Sequence, residues 1–351
     1  MNRRFQINEK IGEYRVVGFV GQGGMGEVYH FYHERLSRSV AVKVLSQNIF
    51  IRDDHKTRFI NEARLHSRLQ HPNIANFIDF QEVGEDLLIF MEFVDGEGLQ
   101  SLIKRKFFSV EESLRHFESI VEAISYVHSN GIIHRDIKVE NIKLTINGVP
   151  KLLDFGIAKD PFSQNLTKVG GLLGTPNYLA PEQFENKPAS KQTDIWSLGV
   201  LLYKMLTGIL PFEGQYLQEI MINTVHGKFD PPEKINPAIS RNASKIIKKC
   251  LEVDLNKRYK NTNELLIDVR QVLNERYGNQ NYPVVSQDIP SPKVIRPTVT
   301  SQIADVQNVS SQKKKPFPYL WVFTITGISL LFILFVIMGV LAITSSAAMV
   351  K

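Results

Sequence analysis

The sequence predicts an α+β protein in two lobes, with one membrane-crossing helix near its C-terminus. The first lobe (residues 14–93) is small and β-rich, and the second (96–277) is larger and helical. Three observations carry this. Short apolar, β-branched runs crowd the first stretch. Apolar residues at helical spacing dominate the second. A strongly apolar, uncharged run, 319–343, follows a stretch rich in Pro, Ser and Gln.

The bulk composition narrows the classes. Of 351 residues, 43% are hydrophobic and 22% charged, a globular balance. A net charge of +6 would suit nucleic acid or an anionic membrane. No long basic cluster with interleaved aromatics occurs, so nucleic acid is not an expected partner. Cys250 is the single cysteine, which excludes an intrachain disulfide and fits a reducing compartment. Met1–Lys10 carries charges but no apolar run, so no secretory signal is expected there.

Tyr14 to Val20 reads as a first strand, and Val28 to His33 as a second. Between them, Gly21-Gln22-Gly23-Gly24-Met25-Gly26 lets backbone N–H groups close over phosphates, because no Cβ intervenes. A dinucleotide site would open a helix at this point, whereas a strand follows here. Val40–Val44, carrying Lys43, alternates as a third strand. A helix is expected over roughly 53–69, with Phe59, Ala63, His66 and Leu69 on one face and Glu62 in its middle. Asn76–Val83 and Leu87–Phe93 complete the sheet. The second of these is continuously apolar, as a strand buried on both faces should be. Polarity returns at Glu92-Phe93-Val94-Asp95-Gly96, a hinge between the lobes.

Beyond the hinge the chain turns helical. Ser109-Val110-Glu111-Glu112 is a capping box, and Leu114, Phe117, Val121, Ile124 and Val127 form the stripe behind it. Asn130-Gly131 stops that helix. His134-Arg135-Asp136-Ile137-Lys138-Val139-Glu140-Asn141 then precedes Asp154-Phe155-Gly156. Two carboxylates, an amide and an ammonium in so short a span suit phosphoryl transfer. Asp and Asn oxygens hold Mg²⁺, and a further carboxylate orients an attacking hydroxyl and accepts its proton. Residues 193–208 open with Asp194 as a capping residue and are apolar nearly all round, hence a buried central helix. Residues 264–277 form a last amphipathic helix, and Cys250 sits among apolar neighbours as a core residue.

In this order and spacing, the motifs resemble those of protein kinases, over 14–277. The likeness is greatest to the membrane-anchored serine/threonine kinases of bacteria, of which Gly23-Gly24-Met25-Gly26-Glu27-Val28-Tyr29 is typical. The resemblance implies the two-lobed protein kinase fold and transfer of the γ-phosphoryl group of ATP to Ser or Thr hydroxyls of proteins. It makes Asp136 the catalytic base and Lys138 the group that reaches the γ-phosphate, a lysine that marks serine/threonine kinases. Lys43 would hold the α- and β-phosphates, locked by Glu62. Asn141 and Asp154 would be ligands of Mg²⁺, with Mn²⁺ as an alternative. Gly21, Gln22, Gly23, Gly24, Met25, Gly26, Val28, Ala41, Lys43, Met91, Glu92 and Val94 would line the nucleotide site. Met91 would guard the back of the adenine pocket, and the backbones of Glu92 and Val94 would meet the adenine edge. Val139 departs from the usual proline, at a position that carries no catalytic group.

The resemblance also assigns structural parts. Asp194 would brace the catalytic loop and Arg258 would pair with buried Glu182. Residues 154–182 resemble an activation segment. Arg135 would pair with a phosphate on it, Thr167 would be the main autophosphorylation site, and Thr175 would contact Asp136 and Lys138. A homodimer for autophosphorylation is a further expectation. Two other classes fit less well. A pseudokinase-like membrane scaffold would not need every catalytic position filled, and small-molecule kinases of related fold usually lack Ala180-Pro181-Glu182.

Residues 278–315 mix Pro283, Pro290, Pro292 and Pro297 with Ser, Thr, Gln and Asn, a flexible linker. As a helix, 319–343 spans about 37 Å against a hydrocarbon core near 30 Å. Tyr319 and Trp321 lie where an interfacial belt would, and Lys313-Lys314-Lys315 precede them. A single-pass plasma-membrane protein is expected, with the catalytic domain cytoplasmic and 344–351 emerging as a short tail. Substrate proteins and the activating signal are not encoded in any readable pattern.

Overall fold

Six strands build the first lobe of the computed structural model: β1 (Lys10–Ile11), β2 (Tyr14–Gly23), β3 (Gly26–His33), β4 (Arg38–Leu45), β5 (Phe77–Val83) and β6 (Asp86–Glu92). They pair antiparallel in the order β1-β2-β3-β4-β6-β5. The structure describes residues 3–23, 26–45, 60, 63–64, 66–84, 86–105, 108–154 and 176–278. The chain divides into two units, Met1–Val284 and Val285–Lys351, and every described residue lies in the first. Gly24, Met25, Glu62, Thr167, Thr175, most of the helix expected over 53–69, and the segments 279–315, 319–343 and 344–351 lie outside the described residues. Among the described residues, no helix is long and apolar enough to cross a membrane.

The period-2 rule explains how the sheet serves two cores. Val40, Val42 and Val44 of β4, with Leu88 and Phe90 of β6, face a cluster that includes Val16, Tyr29 and Phe31. Their alternates Leu45, Leu87, Ile89 and Met91 face the larger core shared with the helical lobe. The unbroken apolar run of β6 is therefore buried on both sides, as its sequence predicts. Phe5 closes the outer cluster, edge-on to Tyr29 and Phe31 at centroid distances of 5.5 and 5.8 Å. Beside it, Arg4 donates twice to the Asp86 carboxylate at 2.6 Å. The N-terminal stretch, which reads as merely charged, thus straps the sheet.

In the second lobe, helix Val110–Ser129 has the predicted capping box: Ser109 Oγ accepts from the Glu112 N–H, and Glu112 accepts from the Ser109 N–H. Asn130 caps its end and Gly131 takes φ 75°. Helix Lys191–Thr207 is buried along almost its whole length. Its start corrects the sequence reading. Ser190 is the N-cap, accepting from the Gln192 N–H, and Asp194 lies inside the first turn with its carboxylate turned elsewhere. Helix Thr262–Tyr277 begins two residues before the predicted boundary, capped by Asn261. The helices Leu217–Val225 and Arg241–Cys250 complete the lower part of the lobe.

A small sheet, β7 (Gly96–Gly98), β8 (Ile142–Thr145) and β9 (Pro150–Leu152), lies where the hinge enters the second lobe. The approach is close: a Cβ on Gly96 would lie 2.0 Å from the Leu144 carbonyl oxygen. β8 begins one residue after Asn141, and Asp154 follows two residues after the end of β9.

Candidate active site

The loop between helix Val110–Ser129 and β8 is held from beneath by Asp194. Its Oδ2 accepts the His134 N–H at 2.8 Å and its Oδ1 accepts the Arg135 N–H at 2.9 Å. His128 Nε2 donates to Oδ2 at 2.8 Å. Arg135 sits at φ 66°, a left-handed conformation that costs a non-glycine residue about 1 kcal/mol or more unless its surroundings fix it. Two backbone bonds to one buried carboxylate do so.

Asp136 is consequently placed at the mouth of the loop. Asn141 Nδ2 donates both to the Asp136 carbonyl and to its Oδ2, each at 2.8 Å. Lys138 Nζ lies 3.1 Å from the same Oδ2. An ammonium and an amide thus converge on one carboxylate oxygen. Because Asn141 spends its amide nitrogen on Asp136, its carbonyl oxygen is turned away as a ligand. That orientation suits a hard, oxygen-seeking cation.

Across the cleft, Lys43 is buried on β4 and its Nζ meets Asp154 Oδ2 at 2.6 Å. The register Val28↔Lys43 and Ala41↔Met91 sets Val28, Ala41, Lys43 and Met91 on neighbouring positions of three strands. Gly21, Gln22 and Gly23 end β2 and pair with Val28, Glu27 and Gly26. A Cβ at Gly26, which has φ 130°, would fall 2.0 Å from the Val44 carbonyl oxygen, so only glycine fits that return. At the hinge, the Glu92 carboxylate binds Lys151 at 2.6 Å, and Lys143 Nζ donates to the Val94 carbonyl at 2.8 Å.

Arg258 and Glu182, which the resemblance would pair, lie together. Arg258 NH1 and NH2 donate to Glu182 Oε1 and Oε2 at 2.9 and 3.2 Å, and both residues are buried. Gln192 and Glu252 carbonyls and the Trp196 ring accept the remainder of the guanidinium.

Residues 14–277 match the protein kinase domain. The chain belongs to that family. A probable serine/threonine-protein kinase of Clostridium perfringens is 34% identical over 260 residues, which cover 74% of this chain and 38% of the relative. One of Clostridium acetobutylicum is 33% identical over 316 residues, 90% of this chain and 45% of the relative. The serine/threonine-protein kinase PrkC of Bacillus subtilis is 33% identical over 290 residues, 81% and 44%. The chain thus spans less than half the length of these curated relatives.

The kinase domain brings together Lys43, Asp136, Lys138, Asn141, Asp154 and the Arg258–Glu182 and Asp194 supports. Glu62, the expected partner of Lys43, lies outside the described residues; among the described residues, Asp154 is a carboxylate partner of Lys43. Sequence reasoning missed three participants. His128 interrupts the apolar stripe of its helix one residue from the end, which was a usable signal. Lys143 and Lys151 are register partners on β8 and β9, and nothing in a single polar residue of a short strand points to the hinge.

Proposed function

We propose that this protein is a serine/threonine protein kinase that transfers the γ-phosphoryl group of ATP to Ser or Thr hydroxyls of other proteins. The observation that carries this is the Asp136 carboxylate, held by Asn141 and Lys138 in a domain whose Lys43 and Asp154 already meet across the cleft. Asp136 orients the acceptor hydroxyl and takes its proton as the oxygen bonds to the γ-phosphorus. The bond from that phosphorus to the β–γ bridging oxygen breaks, and ADP leaves. Lys138, beside the carboxylate, is within reach of the charge on the transferring group. Lys43 neutralises the phosphates that stay behind. Asn141 and Asp154 would hold Mg²⁺, or Mn²⁺ in its place, which supplies charge screening for the phosphate oxygens when bound.

The finer reading adds a single-pass membrane anchor at 319–343, with the kinase domain on the cytoplasmic side by virtue of Lys313–Lys315. It adds autophosphorylation at Thr167 through a transient homodimer. The test is transfer of labelled phosphate to a basic protein acceptor. Lys43→Met and Asp136→Asn should each abolish transfer, with Asp136→Asn still binding ATP. Full transfer by Asp136→Asn removes the proposed base. Membrane fractionation of the full chain against one ending at residue 315 tests the anchor. Equal distribution of the two would overturn it.

A further inference from the structure

Val94, at the hinge, is where the proposed reading places the edge of the nucleotide base, and its carbonyl is already in use. Lys143 points at it from β8. Ile142 and Leu144 are buried on the other side of that strand, so the period-2 pleat turns Lys143 toward the hinge. Its Nζ donates to the Val94 oxygen at 2.8 Å and lies 5.7 Å from the centre of the Phe93 ring, which also stacks on the His30 ring at 3.9 Å. The neighbouring cation Lys151 has a carboxylate partner in Glu92, whereas Lys143 has a neutral carbonyl. Burial holds the Lys143 ammonium below the usual lysine range, with the charge of Asp95 opposing that fall. The stem of such a lysine offers an apolar surface while its head satisfies the backbone.

An extended residue presents an N–H and a C=O side by side. The complement of that pair is a ring nitrogen next to an exocyclic amine, as in 2-aminopurines. In adenine N1 lies between the 6-amine and the C2–H; with the amine on the Glu92 backbone and N1 on the Val94 N–H, as the proposed reading has it, the C2–H faces the Val94 carbonyl and donates nothing to it. We propose that Lys143 is a specificity-determining residue of the nucleotide site, which occupies the Val94 carbonyl and so selects adenine over 2-amino purines. This rests on the kinase reading and on the base edge meeting Val94. An incoming 2-amino group would find a donor already on its acceptor. It would have to displace the ammonium or leave its own N–H unpaired in a buried place.

The experiment is competition binding to the full-length chain against a ribose-labelled fluorescent ATP. The competitors are ATP and 2,6-diaminopurine riboside triphosphate, and the proteins are wild type, Lys143→Met and Lys143→Arg. The quantity read is the ratio of the two affinities, so a general change in nucleotide affinity cancels. Wild type should prefer ATP severalfold. Lys143→Met should shift the ratio toward the diamino analogue by about five- to tenfold, the value of one hydrogen bond gained, and Lys143→Arg should keep the wild-type ratio. An unchanged ratio in Lys143→Met overturns the proposal. So does loss of all nucleotide binding by Lys143→Met with an unaltered circular dichroism spectrum, since the lysine would then be a strut of the hinge. Failure of the wild-type chain to bind any nucleotide would instead overturn the kinase reading itself.

Discussion

Asp194 offers the sharpest test of how the active-site loop is held. Its carboxylate is 1% exposed and accepts three hydrogen bonds, two of them from the backbone immediately before Asp136. Asp194→Ala removes all three acceptors and leaves two backbone N–H groups and an imidazole N–H in a buried space. At roughly 1–3 kcal/mol for each unsatisfied buried donor, and with partial relaxation of the loop, the expected loss is about 3–6 kcal/mol. Asp194→Asn is milder and more informative. Its one remaining oxygen can keep the His134 and His128 bonds, but its amide then faces the Arg135 N–H, donor against donor. The expected loss is about 1–3 kcal/mol. Arg135 also loses the bond that fixes φ at 66°, and the next residue is Asp136, the proposed base. Urea unfolding gives the stability, and phosphate transfer at saturating ATP on the still-folded protein gives the activity. Asp194→Asn should lose at least tenfold in turnover while more than nine-tenths remains folded. Wild-type turnover in folded Asp194→Asn would refute the claim that this carboxylate positions Asp136.

Other parts of the molecule respond in ways that separate their roles. Arg258→Ala leaves Glu182 buried and unpaired and should cost about 3–5 kcal/mol in urea unfolding, while the double variant with Glu182→Gln should cost less than Arg258→Ala alone. Gly199→Ala puts a Cβ 2.5 Å from Cys250 Cβ, and overpacking of this kind should lower stability by about 1–3 kcal/mol, read as a fall in the urea midpoint. Phe5→Ala should cost about 3 kcal/mol if the N-terminal strap is part of the sheet's core, and almost nothing if it is decoration. His66 is buried and its imidazole is driven down to about 4, chiefly by desolvation. The unfolded chain therefore binds the proton more readily, so stability from this group is full above pH 6.5 and falls as pH drops toward 4. Replacing it with Phe should flatten that acid limb by roughly 3 kcal/mol between these pH values in pH-dependent unfolding.

What could be read beforehand depended on how local the cause was. The strands β2, β3, β4 and β6 announce themselves through short β-branched or apolar runs, alternating in β4 and unbroken in β6, and the Ser109–Glu112 capping box is complete within four positions. The glycine-rich run from Gly21 and the Asp136–Asn141 spacing are local patterns of the same kind. From the residues alone Asp194 was misread as a cap, because a carboxylate near a helix start ordinarily serves one; its bracing of the loop was implied by the resemblance and by nothing local. Only the fold brings it under a loop some 60 positions earlier, where its oxygens meet the His134 N–H at a sequence separation of 60 and the Arg135 N–H at 59. The Phe5 strap was missed because one aromatic among charges has no period. Helix Arg241–Cys250 was passed over although Ser240 caps it and Ala243, Ile246, Ile247 and Cys250 trace a clean face, a signal that was present.

Those long-range contacts share a purpose that the local ones lack. Asp154 is tied to Lys43 in the other lobe; on the far side of residues 155–175, the Tyr178 carbonyl accepts from Ser197 Oγ and Glu182 is locked to Arg258. Ser197 belongs to the helix that begins at Lys191, as does Asp194, which holds the catalytic loop. One buried helix therefore references both the loop that carries Asp136 and the stretch from Tyr178 to Glu182 to a single rigid body. Apolar packing alone would fix that helix's depth but not the azimuth of the groups it positions. Buried hydrogen bonds and ion pairs do fix it, because each is costly to leave unmade. On this view, polar residues on helix Lys191–Thr207 that add little or nothing to stability relative to an apolar substitute still set activity. Ser197→Ala is the discriminating case: it removes one neutral hydrogen-bond donor, should change stability by no more than about 1 kcal/mol, and should nonetheless lower turnover by displacing the Tyr178 carbonyl. Unchanged turnover with the same small stability change would mean that packing suffices to place the segment's end.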